Sequence, residues 1–193
     1  MSDRTSFNPF LIKESGWTYE DYAKLPDNGN QYEIVAGILE LKPSASTTHQ
    51  RISHRLTSVL TDSCEDEYII LYAPMDVILS EQDTRQPDIL MIQRSRSGIV
   101  HEHAVVGPPD LVVEIVSPTS VKRDRTMKLR TYAQFGVPEY WIVDPLHVTV
   151  EQYSLVKEGE PYALLNLFAG DDYVESTRLP CVRFKVSEGL TYK

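Results

Sequence analysis

Apolar positions recur along this chain with two periods, near 2 and near 3.6 residues, and each change of period marks a new element. Residues 31–42 alternate and turn near Ala36-Gly37, which predicts a hairpin. Over 48–63, Ile52, Leu56, Val59 and Leu60 fall on one helical face. Short apolar runs at 68–72, 75–79 and 88–93 predict strands, and a loop over 94–109 holds Gly98, Gly107, Pro108 and Pro109. DLVVEIVS at 110–117 predicts a further strand, closed by Pro118. Ser120 then caps a helix running to Phe135, which Gly136 and Pro138 stop. EYWIVD at 139–144 predicts a strand, and 147–154 with 161–168 a trailing antiparallel pair. Upstream, Thr18 and Asp21 form a capping box for a short helix ending at Leu25-Pro26. This order predicts an α/β domain, bordering on α+β, with helices flanking a mixed sheet. Residues 1–16 read as an N-terminal extension and 17–193 as a single domain.

Charged residues interrupt this pattern at informative places. Both faces of the strand at 110–117 are apolar except at Glu114, as in a central strand covered on both sides. A carboxylate there costs several kcal/mol unless it is paired, protonated or bound to a cation. It either sits at the strand end beside solvent or an arginine, or it serves a metal or catalytic site. Asp88 follows Pro87 and opens the apolar run DILMI, so it is a turn residue or a second carboxylate able to share a hard divalent cation. Glu33, inside Tyr32-Glu33-Ile34-Val35, is a third such candidate or an outward edge residue.

On a helical wheel Val121, Lys128, Tyr132 and Phe135 share a stripe within about 60°. Lys128 therefore interrupts the face that packs on the sheet. It either pairs with Asp124 at the surface or aims its ammonium at the carboxylates. His49 occupies the N-terminal end of its helix's buried face, as a capping or packing residue or as an accessory to the site. His101-Glu102-His103 has ligand-like spacing but no third partner nearby, and no phosphate-binding glycine motif is present.

Composition narrows the class. Hydrophobic residues at 41% and charged residues at 24% fit a globular protein. No apolar run approaches the roughly 20 residues of a membrane span, and the first residues lack a signal-peptide pattern. Cys64 and Cys181 are too few for a disulfide framework or a four-cysteine zinc site, so a reduced, cytoplasmic protein is expected. The net charge of −9 opposes nonspecific nucleic-acid binding, but it is local: residues 62–83 carry seven acids and no base, and 151–175 carry six acids and one base. Residues 122–130, by contrast, hold five bases and one acid. They form either a solvated helix face or a patch for a polyanion.

In order, Tyr-Glu-Ile-Val-Ala-Gly, a helix opening with His49, Pro87-Asp88, Val-Val-Glu-Ile-Val-Ser-Pro, then Asp124, Lys128, Tyr132 and Gly-Val-Pro-Glu-Tyr-Trp-Ile-Val-Asp resemble the Uma-type restriction endonuclease family of the PD-(D/E)XK nuclease superfamily. The resemblance covers about residues 17–155 and is most specific from Pro109 to Asp144. It implies a restriction-endonuclease-like core and metal-dependent hydrolysis of phosphodiester bonds in DNA. The alternative is an inactive nuclease-fold module that binds nucleic acid or a second copy. By resemblance Asp88 and Glu114 ligate Mg2+ or Mn2+, and Glu33 is the additional acid. The superfamily lysine two residues after the second acid is Val116 here, and Lys128 is its migrated substitute. Lys122, Arg123, Arg125 and Arg130 would track the nucleic-acid backbone, Asp124 would brace the helix, and a homodimer is expected.

Overall fold

The computed structural model describes residues 14–117, 120–157 and 159–191. Pro118 and most of the expected N-terminal extension lie outside the described residues. Thr18 caps α1 (Tyr19–Ala23) through reciprocal bonds with Asp21, as its sequence predicts. The hairpin β1 (Gln31–Val35) and β2 (Ile38–Lys42) turns through Ala36 and Gly37, both at positive φ (49° and 76°). That two-residue turn pins the register, with Glu33 opposite Glu40 and Gln31 opposite Lys42. A Cβ on Gly37 would stand 3.1 Å from the Gly16 nitrogen, so close approach as well as φ selects glycine. Ser46 caps α2 (Thr47–Cys64), which buries Ile52, Leu56, Leu60 and Cys64.

Strands β3 (Tyr68–Tyr72), β4 (Asp76–Ser80), β5 (Asp83–Arg85), β6 (Ile89–Gln93), β7 (Ala104–Val106) and β8 (Leu111–Ile115) follow. Next come α3 over residues 121–134, β9 (Glu139–Asp144), β10 (Thr149–Ser154), β11 (Ala163–Ala169), β12 (Tyr173–Glu175), β13 (Arg183–Lys185) and a last helix, Val186–Leu190. The single mixed sheet expected from the sequence is divided. Five strands run β2-β1-β5-β4-β7, six run β11-β10-β9-β8-β6-β3, and β12-β13 forms a separate hairpin. β4-β7 and β8-β9 are parallel, and the other pairs are antiparallel. The chain crosses from one sheet to the other between β5 and β6, at Gln86-Pro87-Asp88, where proline cannot donate to a ladder. All five residues of β8 are buried, the central position that its two apolar faces predicted, and so are all six of β9.

Three further differences have local causes. The 94–109 loop contains a 3-10 turn, Arg94–Ile99, and β7, whose three residues are too few to show a period. β12, β13 and the last helix pack Val174, Phe184, Val186 and Leu190 into the same core as α2. Finally, the expectation of reduced thiols is corrected. Cys64, on the buried stripe of α2, and Cys181, ahead of β13, approach to a Cα–Cα distance of 5.2 Å and form a disulfide.

Candidate active site

The crossover between the sheets places the carboxylates. In the β6–β8 ladder Ile89 faces Val113, so Asp88, one residue earlier, lies beside Glu114. One Asp88 oxygen, Oδ2, accepts from the Ile115 backbone N–H at 2.8 Å and lies 2.9 Å from His49 Nε2 at the head of α2. The other, Oδ1, lies 3.5 Å from Lys42 Nζ, which itself donates to the Gln86 carbonyl at 2.5 Å. Glu33 reaches in from β1, where Gln86 N–H donates to it at 3.1 Å, and so it is not an outward edge residue.

Opposite the sheet, α3 is widened by a π turn over Asp124–Lys128. Such turns change which side chains share a helix face and recur at functional sites. Here Asp124 and Lys128 both point inward and both are buried. Lys128 Nζ lies 2.7 Å from Glu114 Oε2, 3.6 Å from Glu33 Oε1 and 3.6 Å from Asp124 Oδ1. One turn on, the Tyr132 hydroxyl donates to Glu114 Oε1 at 2.9 Å. The surface pairing of Lys128 with Asp124 is thereby excluded. Of the expected residues, Glu33, His49, Asp88, Glu114, Asp124 and Lys128 come together. Val116 sits instead in an apolar cluster with Val112, Tyr132 and Tyr140.

Four carboxylates share this buried space with the ammonium groups of Lys128 and Lys42, while Arg85 pairs with Asp83. Burial alone would raise every acid, and the outcome depends on each partner. Against burial, the His49 hydrogen bond and the Lys42 charge hold Asp88 down at about 2. Lys128 and Lys42 likewise hold Glu33 below its ordinary value. For Glu114 burial wins, supported by the Asp88 and Asp124 charges, and its carboxyl is pushed up to about 7 despite Lys128. Lys128 moves up because its four carboxylate neighbours outweigh its burial, so it stays an ammonium. Burial and Glu114 keep the Tyr132 phenol protonated.

Carboxylate oxygens are the donors that a hard divalent cation takes. The two lysines leave the four acids in excess, and Glu114 carries the strain of that excess. Asp88 and Glu114 offer two oxygen donors side by side, the number Mg2+ takes from protein when water and substrate complete its shell. Among the described residues no three acidic, histidine or cysteine side chains converge as ligands, and the Lys128 ammonium lies within 3.6 Å of Glu33, Glu114 and Asp124.

Lys122 and Arg130 are exposed on α3, and Arg123 lies 3.8 Å from Glu40. Arg125 is turned into the fold, donating to Glu151 at 3.0 and 2.5 Å and to Asp144 at 3.2 Å. His101, Glu102 and His103 line a separate groove of about 780 Å³ with Tyr19, Tyr22 and Tyr32. Sequence reasoning missed Lys42. The hairpin register carried the signal, since a two-residue turn at Ala36-Gly37 puts Lys42 on the face of Glu33.

The two mixed sheets thus meet at a buried acid cluster that the lysine-bearing helix α3 covers. Residues 19–186 match the Uma2 family, described as "Putative restriction endonuclease", and the chain belongs to that family. The fold matches the crystal structure of "a putative nuclease belonging to DUF820" from Anabaena variabilis ATCC 29413, with a TM-score of 0.72 and 19% identity, over 90% of this chain and 97% of that one. No curated protein matches the chain. Family membership supports a nuclease-like function.

Proposed function

We propose that the chain is a metal-dependent endonuclease that hydrolyses phosphodiester bonds in DNA. The observation that carries this reading is the juxtaposition of Asp88 and Glu114 on neighbouring strands with Lys128 2.7 Å from Glu114. Asp88 and Glu114 would hold Mg2+ or Mn2+, which supplies an activated water and a charge clamp for the phosphate. His49 orients the Asp88 carboxylate, and Glu33 with Asp124 holds the Lys128 ammonium against Glu114. Tyr132 fixes the second Glu114 oxygen. Lys122, Arg123 and Arg130 face the phosphate backbone, while Arg125 braces α3.

A homodimer belongs to the same proposal. The uncharged edge strand β11 exposes Leu164, Leu165 and Leu167, an edge that natural sheets cover. A DNA substrate implies action in the cytoplasm, where the Cys64–Cys181 bond would meet a reducing pool. No helix among the described residues is long and apolar enough to cross a membrane.

The test is calorimetric titration of Mg2+ and Mn2+ into wild type and Glu114→Ala, followed by cleavage assays on DNA and RNA. Metal binding that the variant loses, together with metal-dependent cleavage of DNA, is the expected result. A wild type that binds nucleic acid but neither metal nor cuts favours the second reading, a nuclease-fold module without cleavage. Burial of both Val116 and Lys128 is the observation behind that alternative.

A further inference from the structure

Solvent reaches the carboxylate cluster unevenly. The side chains of Glu33, Glu114, Asp124 and Lys128 are no more than 3% exposed, and Asp88 is 5% exposed. Lys42 at 13% and His49 at 16% are the two cluster members that meet water appreciably, and both stand against Asp88. The water-facing side of the cluster is therefore the Lys42–His49 side.

The two lysines differ in what their ammonium groups can still do. An ammonium has three donors and no acceptor. Lys128 is surrounded by Glu114, Glu33 and Asp124 within 3.6 Å and has no open side. Lys42 donates to one carbonyl, that of Gln86, and its remaining contact, with Asp88 Oδ1, is stretched to 3.5 Å. It therefore keeps donor capacity on the side where solvent enters. The imidazole of His49, fixed by Asp88 through Nε2, forms the other wall, and its Nδ1 is buried without a hydrogen-bond partner among the described residues.

Resting on the nuclease reading, we infer that Lys42 is the phosphate-contacting cation of this site: its ammonium receives a non-bridging oxygen of the phosphodiester on the water-facing side of the cluster, while Lys128 is a positioning residue that holds Glu114. Val116 stands where the superfamily lysine is expected, and the structure divides that lysine's work between a buried residue and a rim residue. Lys42 can serve from β2 because the register of the Ala36-Gly37 hairpin puts it on the Glu33 face, at the end of the strand next to the crossover.

The experiment compares wild type, Lys42→Met and Lys42→Arg, all as full chains with melting temperatures measured first. Methionine keeps an apolar stem of similar length without the charge, and arginine keeps the charge. Binding of a fluorescent mixed-sequence DNA duplex of about 30 base pairs is followed by anisotropy between about 50 and 200 mM salt. A lost phosphate contact lowers the slope of log K against log salt by about 0.9 in Lys42→Met, and Lys42→Arg restores it. Mn2+ affinity, read by calorimetry, is unchanged or tighter in Lys42→Met, since Asp88 loses a competing cation. Cleavage with Mn2+ falls at least tenfold in Lys42→Met and recovers in part in Lys42→Arg.

A folded Lys42→Met protein with wild-type slope and wild-type cleavage overturns the inference and leaves the nuclease reading intact. A wild type that neither binds the duplex nor cleaves it overturns both.

Discussion

Replacing Glu114 by glutamine tests the electrostatics of the cluster directly. Glu114 is 2% exposed, and its carboxyl is pushed from an ordinary 4.5 up to about 7, first by burial and then by the Asp88 and Asp124 charges that Lys128 only partly offsets. A carboxyl raised in the folded state binds its proton more tightly there than in the unfolded chain. The contribution of Glu114 to stability is therefore greatest below about pH 4.5, falls as pH rises toward 7, and stays reduced above it. The shift corresponds to about 3 kcal/mol. Glutamine mimics the protonated form: its carbonyl can accept from Lys128 and its NH2 can donate to the Tyr132 oxygen. Urea unfolding of both proteins in a chelator should show equal stability near pH 4.5, and a Glu114→Gln advantage that grows to about 3 kcal/mol above about pH 8. Saturating Mn2+ should then narrow the gap at high pH by stabilising the wild type alone. A variant less stable than wild type at every pH, with a gap indifferent to pH, would refute the reasoning, because it would mean that Lys128 fully compensates an ionised Glu114.

Four other perturbations discriminate neighbouring parts. Asp88, held near 2, contributes stability above its ordinary 3.8 that is lost as pH falls toward 2; Asp88→Asn should cost about 2–3 kcal/mol at neutral pH in urea unfolding and abolish calorimetric Mn2+ binding. Arg125→Ala should cost about 1 kcal/mol, because its ion pairs with Glu151 and Asp144 are one-third exposed, and should leave the salt slope of duplex binding unchanged. Lys122→Ala should do the reverse, lowering the slope by about 0.9 without affecting stability. The Cys64–Cys181 bond closes a sequence separation of 117 residues, so Cys181→Ser or a reductant should cost up to about 4–5 kcal/mol. It should spare Mn2+ affinity, because Cys64 ends an 18-residue helix about 22 Å along its axis from His49.

What the sequence made legible was the part governed by a regular period. β8 reads as a two-sided apolar run, so its one charge, Glu114, stands out. α2 reads as a stripe, and His49 falls at the stripe's head. The division of the sheet was illegible because the break is made by Gln86-Pro87-Asp88, three residues that read equally well as a strand start. The strands of three residues, β5, β7, β12 and β13, are set by their neighbours rather than by alternation of their own. The disulfide depends on a tail whose packing against α2 no local pattern announces.

The lysines show where spacing stops being a guide to chemistry. A lysine at position 116 would enter the apolar cluster of Val112, Tyr132, Val137 and Tyr140, whose burial closes α3 onto the sheet. Its ammonium would lose solvation there unless the acids reached it. With valine at 116 that contact stays apolar, and the π turn of α3 directs Asp124 and Lys128 together toward Glu114. The cost is that Lys128, now enclosed by three acids, is removed from solvent and hence from any substrate. On the nuclease reading, a cation that meets the substrate comes from elsewhere along the rim, and the hairpin that supplies Glu33 carries Lys42 on the same face. Both lysine positions are set by backbone register, through a two-residue turn in one case and an extra helical residue in the other. A motif search tied to fixed spacing after Glu114 finds neither.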